Sequence, residues 1–183
     1  MTERIRPATP RLAPLAPEEL DDDSRQLVGA RPLNIFGTLA HHPKLLKRWL
    51  VFGNHVLAKS TLPARERELV ILRTGWNCAA AYEFGQHTAI GRDAGLTAAE
   101  IAALCTDPVD HGWSDDDRHL IAAADELHAD QCITDATWAA LTGRWSDEQV
   151  LDLIFAIGQY TLVSMALNSL GVALDDGVTG FPS

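Results

Sequence analysis

Apolar residues in this chain recur three and four positions apart, in blocks that open on proline or on a capping residue. No segment alternates apolar and polar residues between hairpin signals. That spacing restricts the chain to helices. Thr97-Ala-Ala-Glu100 and Ser146-Asp-Glu-Gln149 are capping boxes, in which the first side chain and the last each satisfy a free backbone N–H. Pro43 and Pro63 each open a helix, because proline lacks the N–H that the first turn would leave unpaired. Ser114 precedes Asp115, Asp116 and Asp117, whose charges suit the positive end of a helix. Thr134 caps another helix, with Trp138 and Leu141 expected to face inward. The pattern predicts an all-α fold, a helical bundle in a single domain.

The order of elements follows from the same signals. Residues 1–17 carry four prolines and read as an extended arm, either mobile or draped over a neighbouring subunit. The helical domain occupies 18–176, and 177–183 is a loop-like tail. Within the domain a short acidic helix is expected from Glu18 to Gly29 and a helical turn from Asn34 to Ala40. His41-His42 marks the approach to the helix at Pro43, where one imidazole is placed to cap it. The next helix begins at Pro63, a further segment runs from Cys78 to Ala94, and Gly95 stops it. A loop from Cys105 to Trp113 contains Pro108 and Gly112. The helix opened by Ser146 passes Gly158 and reaches toward Leu174, a length that predicts a kink or break near Gly158. Phe84-Gly-Gln-His87 echoes Ile157-Gly-Gln-Tyr160, which two related helical halves or chance would both explain.

Composition removes several function classes. The 183 residues carry a formal charge of −10, which disfavours nucleic acid and anionic membrane surfaces as partners. No apolar run reads as a membrane span, and the N-terminus has no apolar signal region. Cys78, Cys105 and Cys132 are isolated and odd in number, with no CxxC pair. Reduced thiols in a cytoplasmic protein are the expectation.

The segment Arg65 to His87 holds the chemistry. Glu83 and His87 are four apart and share a helix face, while Glu68 lies on the preceding apolar stretch. Two carboxylates and an imidazole that converge in an apolar pocket are tools for moving protons. The alternative is an ordinary Glu–His ion pair on a solvated face. Cys78 reads as a structural thiol near this site. His119 and His128 lack a third ligand at zinc spacing, and Asp125, Glu126 and His128 suit a solvated acidic face better than a cation site. The five tryptophans read as core or interface residues. No metal or cofactor is expected.

Asn34-Ile-Phe, His41-His-Pro43, Ser60-x-Leu-Pro63, Arg65-x-Arg-Glu68-Leu, Cys78, Tyr82-Glu83, His87 and Arg92-x-Ala-Gly-Leu-Thr97 together resemble the carboxymuconolactone decarboxylase family. That superfamily also holds the alkylhydroperoxidase D proteins. The resemblance runs from about Asn34 to Gly171 and is strongest between Leu62 and Leu104. It implies an all-helical fold, a pocket at a subunit interface, and a homo-oligomer, usually a trimer or hexamer and sometimes a dimer. In the peroxidase branch a glutamate precedes a CxxC, and a histidine follows the second cysteine after three residues. Counted back from His87, those cysteine positions fall on Ala80 and Glu83, and the glutamate falls on Glu68. The chain therefore keeps the glutamate and histidine but lacks both redox thiols, which disfavours disulfide-based peroxide reduction. The decarboxylase branch, which acts in aromatic breakdown, implies acid–base chemistry. On that resemblance His87 is the proton donor or base tuned by Glu83, and Glu68 orients it or relays the proton. Tyr82, Cys78 and Arg73 stand on the substrate side, Arg73 as a carboxylate clamp. The function expected is a lyase or isomerase acting by proton transfer on a small lactone or enolisable carboxylic acid. A thiol peroxidase using Cys78 and a non-catalytic small-ligand-binding protein are the alternatives.

Overall fold

A computed structural model describes residues 5–30, 32–106 and 111–182. Those residues form nine α-helices and no strand: α1 (Asp22–Val28), α2 (Asn34–Leu39), α3 (Pro43–Ala58), α4 (Ala64–Asn77), α5 (Ala81–Asp93), α6 (Ala98–Ala103), α7 (Asp115–Asp130), α8 (Asp135–Arg144) and α9 (Asp147–Leu170). Both capping boxes close as expected, and Ser114 and Thr134 cap α7 and α8. The His42 imidazole accepts the Leu45 N–H at the start of α3. Asp21 rather than Glu18 begins the first helix, because its carboxylate accepts the Ser24 N–H at 2.6 Å. Pro63 caps α4 from outside, and the helix starts at Ala64. The loop expected at Pro108 lies outside the described residues, as do residues 1–4 of the arm and Ser183 of the tail.

α4 is the central helix, packed against α5, α7 and α9. Every side from Glu68 to Gly75 is buried, which explains why its apolar periodicity is weak. Leu69, Leu72, Phe84, Leu120, Leu141 and Leu153 meet there in one core. Each such side chain contributes about 1.5–3 kcal/mol by leaving water. On α8 the buried pair is Thr137 and Leu141, so Trp138, one residue round the helix, is 47% exposed rather than inward.

α9 departs from expectation at two places. It runs unbroken through Gly158, and it ends at Leu170, not Leu174. Gly171 (φ 67°) adopts the left-handed conformation that stops a helix, and its N–H donates to the Leu167 carbonyl. The cost of Gly158, about 1 kcal/mol, is too small to break a helix held along its length by packing. α9 is also long and apolar enough to cross a membrane by length and composition, contrary to the sequence reading; half of its apolar window is buried in the fold. Its outer face exposes Leu151, Phe155, Leu162 and Met165.

The described part of the arm packs on its own chain. Arg6 donates to the carbonyls of Cys78 and Ala79, Arg11 holds the end of α9, and the Leu15 N–H donates to Gly37. The tail crosses α5 in the same manner. A Cβ at Gly85 would collide with the Thr179 carbonyl, and Phe181 packs edge-on to Trp76 with ring centres 5.1 Å apart. Glycine at 85 is thus what lets the tail approach α5.

Candidate active site

Glu68, Glu83 and His87 converge. Glu68 projects from the buried side of α4, while Glu83 and His87 stand one turn apart on α5. His87 Nδ1 lies 2.6 Å from Glu68 Oε2, and His87 Nε2 lies 2.9 Å from Glu83 Oε1. The imidazole is thus clasped between two carboxylates. Glu68 is 0% exposed, and Glu83 and His87 are each 5% exposed. Arg67 donates from Nε to the other Glu68 oxygen at 3.3 Å, which balances that carboxylate from behind. The edge of His87 meets the Tyr160 ring, with centres 4.7 Å apart.

Burial alone would push His87 toward its neutral form. The hydrogen bonds and charges of Glu68 and Glu83 outweigh it and raise the pKa to about 9. At neutral pH the ring is therefore an imidazolium that donates on both sides. A solvated Glu–His surface pair would not be buried this deeply, so that alternative is excluded by position.

A cavity of about 150 Å³ opens beside the cluster. Phe36, Trp49, Leu50, Ile90 and Val163 form apolar walls, and Tyr82, Glu83, Gln86, His87, Gln159 and Tyr160 supply polar edges. Glu68 does not line it; it sits behind His87. Both His87 nitrogens are engaged, and of the two carboxylates Glu83 is the one that lines the cavity, with Oε1 in its contact to His87. A larger cleft of about 460 Å³ lies under the N-terminal arm. Its Arg6 and Asn168 side chains both donate to backbone carbonyls at Cys78–Ala79, and no acid–base pair lines it. We therefore place the site in the smaller cavity.

The remaining sequence candidates separate clearly. Tyr82 lines the cavity, but its hydroxyl donates to Asp175 Oδ2 at 2.5 Å and accepts the Ile35 N–H at 3.2 Å. Burial first, then Asp175, holds it far above the usual phenol range. Asp175 also accepts from Gln86 and from the Asn34 N–H, so this tail residue pins α2 and α5 together at the cavity wall. Arg73 is not on the substrate side. Its guanidinium donates to both Asp125 oxygens (2.6 and 2.9 Å) and to the Leu104 and Thr106 carbonyls, because its face of α4 packs against α7. Cys78, at the end of α4, is not a cavity residue either; its Sγ lies 3.8 Å from His128 Nδ1. Asp125 serves Arg73 and Asn77, and Glu126 accepts from Thr134 and Thr137, so those carboxylates brace α7 instead of facing solvent as a bare acidic patch. Among the described residues no group of three or more His, Cys, Asp and Glu side chains is arranged to hold a metal ion.

Gln159, Tyr160 and Trp49 escaped the sequence reading. The available signal was the echo: Gln86-His87 and Gln159-Tyr160, from the two matching tetrapeptides, line the same cavity from α5 and α9.

Comparison with known proteins agrees with the all-helical fold. The model of the carboxymuconolactone decarboxylase family matches residues 43–126, which include Glu68, Glu83 and His87. No curated protein sequence matches the chain. Among solved structures, the fold is similar to an alkylhydroperoxidase AhpD core, an uncharacterized peroxidase-related protein from Ralstonia eutropha JMP134. That pair has a TM-score of 0.81 and 21% identity, over 91% of this chain and 93% of the other. A peroxidase-related protein from Silicibacter sp. TM1040 superposes with a TM-score of 0.82 at 14% identity, over 97% and 98% of the two chains. The debrominase Bmp8, in complex with 2,3,4-tribromopyrrole, gives 0.74 at 14% identity over 92% and 94%.

Proposed function

We propose an enzyme of proton transfer, on the premise that residues 43–126 match the carboxymuconolactone decarboxylase family model and that the fold is that of alkylhydroperoxidase D-like proteins. Its substrate is a small lactone or enolisable acid, and the reaction is that of an isomerase or decarboxylase. One observation carries the reading: a buried imidazolium clasped by two carboxylates, one of which lines a cavity.

Glu83 is the group that exchanges the proton. Its Oε2 accepts a proton from the carbon next to a carbonyl, and the C–H electron pair moves onto the carbonyl oxygen as an enolate. In an isomerisation Glu83 then returns that proton to another carbon of the enolate, and the proton count closes on Glu83. In a decarboxylation the C–C pair takes that path instead and carbon dioxide leaves; the proton that quenches the enolate comes from solvent by way of Glu83, one consumed per turnover, and no electron is gained or lost overall. His87 steadies the Glu83 carboxylate from its other oxygen, and Glu68 fixes the ring plane. The roles thus differ from the sequence expectation, in which His87 met the substrate directly. Thiol peroxidase chemistry has little support, since Ala80 and Glu83 occupy the thiol positions and Cys78 lies off the cavity.

The test is exchange of substrate α-protons for deuterium in D2O. Glu83→Gln and His87→Ala are expected to lose exchange while circular dichroism and the unfolding transition remain. Full exchange in both variants sinks the assignment, and ligand binding without exchange in the wild type leaves a binding protein.

We also propose a homo-oligomer, trimer or hexamer in preference to dimer. The exposed α9 stripe supports it, with Phe52 of α3 packed edge-on to Phe155 at 6.1 Å. Light scattering on a Phe155→Glu, Met165→Glu variant is expected to report a smaller species.

A further inference from the structure

Three buried or half-buried polar side chains at the cavity have no hydrogen-bond partner among the described residues; Asn54, also at the cavity, is exposed. Gln159 is 5% exposed and makes no hydrogen bond through its amide. Tyr160 is 7% exposed, with an unpartnered hydroxyl. The Trp49 Nε1–H is buried and unsatisfied. The buried Trp49 donor is costly unless something completes it, and the Gln159 and Tyr160 groups are open to whatever fills the cavity. They also converge. A Cβ built at Gly53 would sit 3.6 Å from Gln159 Nε2 and 3.8 Å from Trp49 Cε2, the carbon bonded to that indole nitrogen. Tyr160 closes the same space from its contact with His87.

All three are neutral, and all three can donate. No lysine or arginine lines the cavity. The Arg67 guanidinium is spent on Glu68, and the His87 cation is spent on Glu83 and Glu68. The Glu83 carboxylate lines the cavity. An anionic ligand would lie against that carboxylate with no unpaired cation to hold it, whereas a carbonyl oxygen would complete the orphaned donors. The volume, about 150 Å³, is that of a cavity able to hold one benzene-sized ring.

We propose that the cavity recognises a small neutral carbonyl compound, a ketone, aldehyde or uncharged lactone. Gln159, Trp49 and Tyr160 hold its oxygen, and Glu83 lies beside the adjacent carbon. This inference rests on the proton-transfer reading and narrows it: it selects the lactone over the carboxylic acid, and isomerisation over decarboxylation. Donors aimed at the oxygen stabilise it most when enolisation places charge there, so the same groups that bind also lower the barrier.

The experiment is a heteronuclear NMR titration at pH 7.5 with 3-methyl-2-butanone and with isobutyrate, probes of equal size that differ in charge. The ketone is expected to bind at least ~10-fold more tightly, with shifts centred on α3, α5 and α9. Gln159→Leu, close in volume, is expected to weaken ketone binding ~10-fold, and Tyr160→Phe a few-fold, both with otherwise native spectra. Equal or tighter binding of isobutyrate overturns the proposal, as does binding of neither probe or unchanged ketone affinity in both variants. Deuterium exchange on the same samples separates the two claims. Ketone binding that depends on Gln159 without exchange removes the proton-transfer reading and leaves the recognition intact. Exchange on isobutyrate alone removes the recognition and leaves the chemistry.

Discussion

α4 carries two charge clusters on opposite faces, and they are built to opposite ends. Toward α7, Arg73 makes four hydrogen bonds to Asp125 and two backbone carbonyls, and Arg65 joins Asp117 and Glu100 in the same way. Neither Arg65 nor Arg73 lines the cavity beside His87. Toward α5, Glu68, His87 and Glu83 form a chain that ends at that cavity, beside the unpartnered Tyr160 hydroxyl and Gln159 amide. The first cluster braces the bundle. The second keeps hydrogen-bonding capacity in reserve, at an energetic cost that only a ligand repays. What identifies a site in this molecule is thus capacity left unused beside a cavity, more than the presence of charge.

The contrast can be broken by mutation. The largest effect belongs to Glu83→Gln, which is expected to lower exchange by ~10³-fold while the protein stays folded, measured by NMR in D2O. Next, Arg73→Leu is expected to cost about 2 kcal/mol in urea unfolding, less than a fully buried pair because Asp125 is partly solvated, with ketone affinity unchanged. A loss of ketone binding in that variant would merge the two clusters into one. Glu68→Gln removes a charge that holds His87 protonated and is expected to bring its NMR titration down from about 9 by a unit or more. The smallest effect is on stability against pH. The folded-state pKa of His87 exceeds the ordinary 6.5, so its contribution is complete below about pH 6.5 and is lost as pH rises through about 9. Denaturation midpoints should fall across that window in the wild type and stay flatter in His87→Gln.

Much of the fold was legible because its signals are local. Capping boxes at Thr97 and Ser146, the serine and threonine caps, and proline at the start of α3 act within one turn, and each formed where the residues predicted it. Helix ends governed by packing or by competing caps were less readable. Gly171 outbid the apolar letters that continue to Leu174, and Trp138 turned outward because Thr137 and Leu141 took the buried stripe. Arg73 shows the same limit in the site. Its place in the segment suggested a substrate contact, but a residue's neighbours in sequence do not tell which face of a buried helix meets the cavity.

The sequence alone determined that the chain is helical and that Glu83 and His87 share a face. Those follow from 3.6-residue periodicity, which needs no third dimension. Tertiary structure decided the rest. Bringing Glu68 within 2.6 Å of His87, setting Glu83 at the cavity and placing Gln159, Tyr160 and Trp49 unpaired around it all depend on how α3, α4, α5 and α9 pack. Contacts between distant residues, such as Asn34 and Asp175 at 141 positions apart, are fixed by core packing across the whole bundle, and no local signal encodes them.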